Sequence, residues 1–378
     1  MKELSLYIHI PFCVSKCYYC DFSSFANKSN IIDDYINCLM TELNLYKEKI
    51  KDYSIRTIFI GGGTPSCIDE KYIHKILEFI YKNFNTTELV EVTIEANPGT
   101  LYREKVNLYK NAGINRVSMG VQTLDNDLLK SIGRIHNVHD FYRSYEILRE
   151  ENIKNINVDL IFGLPNQTLD HVLDSLNKVI QLKVEHISYY GLILEKGTRL
   201  YKLYNDGKIA LPDEDTERLM YHKATEHLVN HGYNHYEISN YALPNYECKH
   251  NLVYWEVKPY LGVGLSSHSN MNGKRFWNTS NIDIYIEKLN KQVLPIEDEE
   301  IINRETEIGE FCILGLRKIA GINKAEFYNR FGVEIESIYK DIINKHIENR
   351  LIINDDNYIR LTKRGLDLSN LVEIDFLK

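Results

Sequence analysis

The chain has 378 residues, 44% of them hydrophobic and 26% charged, with a formal net charge of -8. That length leaves room for two or three domains around a large core, and the composition is that of a globular protein. An acidic chain lacks the broad basic face that marks a nucleic-acid binder. Neither an apolar run of about 18 residues nor a secretory leader pattern occurs, so a cytoplasmic protein without a transmembrane segment is expected.

Residues 4–10 form an apolar, β-prone run that stops at Pro11, so a strand should deliver the chain into a loop there. That loop holds three of the seven cysteines, Cys13, Cys17 and Cys20. Their close spacing lets one short loop wrap three thiolates around one inorganic centre and leave a coordination position open. An iron–sulfur cluster with one exchangeable ligand satisfies the pattern. A closed zinc site would need a fourth ligand such as His9 or Asp21, and structural zinc cysteines usually come as two separated pairs. A disulfide framework belongs to small secreted chains. Cys38, Cys67, Cys248 and Cys312 are scattered and need no shared role.

Apolar residues at helical spacing (Ile32, Tyr35, Ile36, Leu39, Leu43, Tyr46) predict a helix over 31–50. A strand from Arg56 then runs into Gly61, Gly62, Gly63, Thr64 and Pro65, where glycines let the backbone come close to a ligand. The next strand, from Val90, ends at Glu95, and residues 116–122 end at Gln122. Residues 156–162 carry Asp159 inside an apolar run; an acid there is costly unless partnered, and a ligand is a candidate partner. Helical patterns over 70–83, 101–112, 138–151 and 169–181 separate these strands, and a sixth strand starts at His186. Six βα units with right-handed crossovers bring the strand ends to one rim. An eight-unit barrel takes about 250 residues, so the expected fold is α/β, a partial (β/α)6 TIM-like barrel. The cysteine loop, Gly63, Glu95, Gln122 and Asp159 should converge on its rim.

Past a helix over 212–231, His250, Tyr254 and Trp255 form an HNxxYW string. Read from the residues alone, it is an ordinary aromatic cluster, a lone histidine being more often structural. From residue 303 helical runs over 307–319, 324–331 and 334–350 precede a hairpin over 351–361, the order of a winged-helix-like α+β domain. Its acidic, mixed surface suits protein docking or a structural cap better than DNA. The expected division is a barrel over 1–242, a connecting region over 243–300 and a C-terminal domain over 301–378.

The three cysteines, with the aromatic residues around them, resemble the signature of the radical S-adenosylmethionine (SAM) enzymes. The wider strings YIHIPFC and CYYCDF resemble the oxygen-independent coproporphyrinogen III oxidase family and its haem-chaperone branch. The resemblance implies a 4Fe-4S cluster on Cys13, Cys17 and Cys20, with SAM chelating the fourth iron and cleaved to a 5'-deoxyadenosyl radical on reduction. It implies that Tyr7 and Tyr19 flank the cluster and SAM, that Gly63 and Thr64 hold the methionine part, and that Glu95, Gln122, Arg134 and Asp159 contact its ribose, carboxylate or adenine. Arg134 belongs to a GRxH-like segment with Gly133 and His136.

The HNxxYW string resembles the marker of the haem-chaperone branch, which makes His250 the candidate axial ligand for haem (heme) and Cys248 its rival. The decarboxylating oxidases carry a further cysteine where this chain has Phe22, and an extended amino-terminal segment that is not expected with only twelve residues before Cys13. The chaperone therefore ranks ahead of the oxidase, and a SAM-dependent nucleic-acid-modifying enzyme stands third because of the net charge. The implied partners are haem-accepting haemoproteins, respiratory enzymes among them, and an electron donor for the cluster. No catalytic residue is assigned.

Overall fold

A computed structural model describes residues 1–26 and 28–377. Strand β1 (Lys2–Ile10) runs into the cysteine loop, whose ends are clamped by a short parallel pair, β2 (Phe12–Cys13) and β3 (Phe25–Ala26). Five more long strands follow: β4 (Tyr53–Gly62), β5 (Glu91–Ala96), β6 (Arg116–Gln122), β7 (Asn155–Phe162) and β8 (His186–Gly191). They lie in the order β1-β4-β5-β6-β7-β8, each parallel to the next. The six expected βα units are present.

Alternation along β6 shows how the sequence places its two faces. Val117, Met119 and Val121 are buried among the helices, whereas Arg116, Ser118 and Gln122 line the barrel interior, as the two-residue period of a strand requires. The intervening helices have local start signals. Asn137 and Asp140 form a capping box on Val138–Glu150, and Thr168 and His171 form another on Leu169–Gln181.

The segment 243–300 is more than the connection expected. A hairpin of β9 (Asn234–Glu237) and β10 (Asn240–Ala242) adds antiparallel to β8. On the opposite edge β11 (Tyr260–Val263) pairs parallel with β1, and β12 (His268–Met271), β13 (Lys274–Asn278) and β14 (Ile296–Ile301) continue antiparallel, giving a twelve-stranded sheet. Leu261, Val263, Tyr285 and Leu289 belong to the barrel's own core. Glu42, on the helix Ile32–Tyr46, fastens this segment by accepting from Gly264 N–H at 2.8 Å, Asn278 Nδ2 at 2.6 Å and Tyr285 Oη at 2.6 Å. The pairing was invisible locally because β11 is four residues long and its partner lies at the other end of the chain.

The C-terminal part has a separate core, built on the helices Arg304–Leu316, Lys324–Phe331 and Ile335–Glu348. A three-stranded sheet of β15 (Ile322–Asn323), β16 (Ile352–Asn354) and β17 (Tyr358–Leu361), in the order β15-β17-β16, completes the winged-helix-like arrangement. Arg330 donates to the carbonyls of Glu256 and Val257, and the Arg317 guanidinium lies 4.4 Å from the ring centre of Trp255. Both contacts fix it against the helix Lys249–Trp255.

Candidate functional site

Cys13, Cys17 and Cys20 are partly exposed free thiols on one wall of a cavity of about 130 Å³. Gly63, Thr64, Glu95, Gln122, Arg134, Asp159 and Tyr19 line the same cavity, so the strand ends converge as expected. Polar donors are aimed at the sulfurs. Arg134 Nη1 lies 3.3 Å from Cys17 Sγ, and Thr64 Oγ1 donates to Cys13 Sγ at 3.5 Å. Hydrogen bonds of this kind fix the direction in which the sulfurs point. Among the described residues no three His, Cys, Asp or Glu groups converge on a single metal ion. Of the two suggested fourth zinc ligands, Asp21 is exposed, and His9 donates from Nε2 to Ser23 O at 2.9 Å and accepts at Nδ1 from Tyr7 Oη at 3.0 Å. With His9 so committed, the three thiols fit a multi-iron centre with one open position better than a zinc site closed by His9.

The remaining wall is held by few bonds. Arg134 follows the helix Asn126–Ser131, and its Nη2 donates to Asn97 Oδ1 at 2.7 Å and to Gly120 O. Asn97 in turn donates to Thr64 Oγ1 at 2.9 Å. Gln122 adopts φ 71°, where β7 slips register against β6, and this strained turn directs it to the cavity. Glu95 accepts from Gly62 N–H at 3.0 Å, and burial together with the Asp159 charge pushes its carboxyl up to about 7. Asp159, also raised by burial, already has protein partners, accepting from Asn157 Nδ2 at 2.6 Å and from Ser118 Oγ at 3.5 Å.

Of the expected positions, one also serves the loop and one lies outside this cavity. Gly63 lines the cavity and also packs on the cysteine loop: a Cβ there would sit 2.7 Å from Phe12 O and 3.0 Å from Ile10 O. Tyr7 is absent from the cysteine cavity and lines the barrel lumen below it.

That lumen is a second cavity, of about 490 Å³, unlike the side-chain-filled interior of a full barrel. Tyr7, Phe59, Tyr190 and Tyr254 give it aromatic walls, and the helix Lys249–Trp255 closes its floor. His250 and Tyr254, four residues apart, face inward together. His250 is buried and both ring nitrogens are used, one with Thr57 Oγ1 at 2.8 Å and the other with Tyr254 Oη at 2.9 Å. Burial and the nearby Arg116 lower its pKa to about 3, so it is neutral. Axial ligation would require it to release one of these bonds.

The HNxxYW residues do not form one surface, since Trp255 turns away to Arg317. Cys248, the rival ligand, is fully buried; its thiol donates to Glu91 Oε1 at 3.6 Å and burial raises its pKa to about 12. It does not reach the lumen lining. Sequence reasoning missed Asn97 and Arg116. Position was their only signal: Asn97 follows Glu95 by two residues, and Arg116 shares the inward face of β6 with Gln122.

No helix among the described residues is long and apolar enough to cross a membrane. The sequence matches the family model of the Radical SAM superfamily over residues 7–179 and that of the HemN C-terminal domain over residues 302–368. Heme chaperone HemW of Bacillus subtilis (strain 168) is 39% identical over 99% of this chain and 99% of its own. Heme chaperone HemW of Lactococcus lactis subsp. lactis (strain IL1403) is 38% identical over 100% of this chain and 98% of its own. Coproporphyrinogen III oxidase (HemN) from Escherichia coli, a radical SAM enzyme, matches in structure with a TM-score of 0.87, covering 99% of this chain and 90% of that one. At 21% identity that likeness establishes the fold. The cysteine loop, the strand-end cavity and the end-to-end relatedness agree, and the chain belongs to the HemW family of the radical SAM superfamily.

Proposed function

We propose that this chain is a haem chaperone, which binds haem together with a SAM-liganded 4Fe-4S cluster and passes the haem to haem-accepting haemoproteins. The observation that carries the reading is identity of 39% across 99% of both chains with a heme chaperone. Cys13, Cys17 and Cys20 would hold the cluster, and an external electron donor would reduce it. When bound, the cluster and SAM supply one-electron chemistry at the rim. Arg134 and Thr64 hold two of the sulfurs in place, and the Gly62 N–H orients Glu95 toward the ligand. Tyr19, Gln122 and Asp159 complete the wall against which SAM would lie.

The lumen suits haem in chemistry, offering aromatic faces for an extended apolar ring and an imidazole for its iron. His250 is the candidate axial group, available once its bond to Tyr254 or Thr57 opens. Coproporphyrinogen oxidation is the second reading; its support is likeness of fold, which many functions share. Titrating the reconstituted protein with haem should produce a Soret band that shifts or weakens in His250→Ala, while coproporphyrinogen III stays unchanged under anaerobic reducing conditions with SAM. Conversion to protoporphyrinogen IX would put the oxidase first. An unaltered haem spectrum in His250→Ala would remove His250 from the site.

A further inference from the structure

Arg116 opens β6 on the lumen side and is 1% exposed, yet among the described residues no hydrogen bond or ion pair reaches its guanidinium, and its Nε is buried without a partner. A buried cation ordinarily has its donors filled. The other inward arginine differs at its terminal nitrogens: Arg134 Nη1 and Nη2 are shared among Cys17, Asn97 and Gly120, although its Nε, like that of Arg116, has no partner among the described residues. Arg149, on the outer face, likewise binds Tyr145, two or more carbonyls and Glu185.

The carboxylates around Arg116 are committed elsewhere. Glu91 accepts from the backbone N–H groups of Lys249 and His250, both at 3.0 Å, and from the Cys248 thiol. Asp159 is taken by Asn157 and Ser118. These acids act on Arg116 only through space. What remains is a fork of donors facing a cavity of about 490 Å³, inside the range of roughly 300–1,000 Å³ usual for small-molecule sites. A planar guanidinium in low dielectric is matched by a carboxylate, which it can grip with two parallel bonds.

We propose that Arg116 anchors a carboxylate of the ligand held in the lumen, namely a propionate of haem. This rests on the haem-chaperone reading. It adds the orientation of the cargo: propionate at the barrel floor beside His250, with the apolar ring along Tyr7, Phe59 and Tyr254. SAM also carries a carboxylate, and the cavity of the three cysteines adjoins the lumen, sharing Tyr19, Glu95, Gln122 and Asp159 with it, but Arg116 lines only the lumen of the two. The two sources are therefore separable by experiment.

Binding of haem and of haem dimethyl ester, which keeps the ring and iron but lacks both charges, should be compared in the full reconstituted protein, in Arg116→Gln and in Arg116→Lys. A charge-assisted pair lost from a buried site corresponds to roughly ten- to hundred-fold in affinity. The intact protein should prefer the acid by that factor, Arg116→Gln should bind acid and ester alike, and Arg116→Lys should keep part of the preference. The comparison of the two ligands on the unmodified protein needs no variant, so misfolding of Arg116→Gln leaves the inference open to refutation. Equal affinity for acid and ester in the unmodified protein would overturn it, as would a preference that survives in Arg116→Gln. A fall in SAM affinity in Arg116→Gln with the acid preference intact would assign the arginine to the wrong carboxylate and overturn it too. Absence of any haem spectrum in the unmodified protein would sink the haem-chaperone reading itself, and the inference with it.

Discussion

Arg134 Nη1 donates to Cys17 Sγ at 3.3 Å, joining the loop after β6 to the cysteine loop after β1 across 117 residues of sequence. The same side chain donates to Asn97 and Gly120, so it ties three barrel loops together. Arg134→Ala would leave two oxygens and the Cys17 sulfur without this donor, at about 1–3 kcal/mol for each buried group. The variant should unfold at lower urea and retain less iron and sulfide after anaerobic reconstitution. Arg134→Lys should restore little, because one ammonium cannot reproduce a forked guanidinium. Full cluster content in both variants would show that the Arg134–Cys17 bond is dispensable.

Replacing Cys13, Cys17 or Cys20 singly with Ala should abolish the cluster absorbance. Cys67 is the informative control. Its thiol donates to Phe12 O at 3.4 Å beside the loop, and burial pushes it up to about 11, so it stays protonated and a poor iron ligand. Cys67→Ser should therefore keep normal iron and sulfide. Loss of the cluster in Cys67→Ser, with the fold intact by circular dichroism, would mean that a fourth cysteine takes part.

Gly63→Ala tests whether the glycine serves the fold or the ligand. The added methyl meets backbone oxygens of Phe12 and Ile10, which cannot move without shifting the cysteine loop. Overpacking of this kind costs about 1–3 kcal/mol. The melting temperature and cluster content should fall together. A variant with unchanged stability and weakened SAM binding would instead return Gly63 to a purely ligand-facing role.

Glu95 makes a pH prediction whose sign can be worked out. Its folded-state pKa, about 7, lies above the ordinary 4.5. The unfolded chain therefore loses this proton first as pH rises, and the contribution to stability present at acid pH is lost between about 4.5 and 7. A cationic sulfonium ligand has the opposite preference and should bind several-fold more tightly at pH 8 than at pH 6, as the carboxylate becomes anionic. Calorimetry of SAM binding should show that slope in the native protein and a flat, weaker profile in Glu95→Gln. Equal slopes would place the titration on another group.

Much of the rim was legible in the sequence because each part is local. Three thiols within eight residues, glycines after a strand, and polar residues closing strands whose interiors are apolar need only the chain's own periodicity to be placed. The helices over 70–83 and 169–181 were legible to the residue for the same reason, their apolar stripes being bounded by Asp69 and Thr168 as caps. Arg134 was different: the family resemblance supplied it, since nothing in its neighbours distinguishes it from a surface arginine.

Only the tertiary structure decided what the barrel encloses. Whether Asp159 awaits a ligand or is already bonded depends on Asn157 and on Ser118 across a strand boundary. Whether His250 is free depends on Thr57, 193 residues away. The position of β11 beside β1 joins residues more than 250 apart, and no pattern within four residues encodes a partner. Arg116 is the clearest case: among the described residues no hydrogen-bond partner meets its Nε although Glu91 and Asp159 act on it through space, a property of three-dimensional packing that a one-dimensional pattern does not carry. The sequence by itself determined which groups stand at the strand ends. The fold decided which of them satisfy one another and which are left facing the cavity, because hydrogen bonding inside a protein is settled by distance in space.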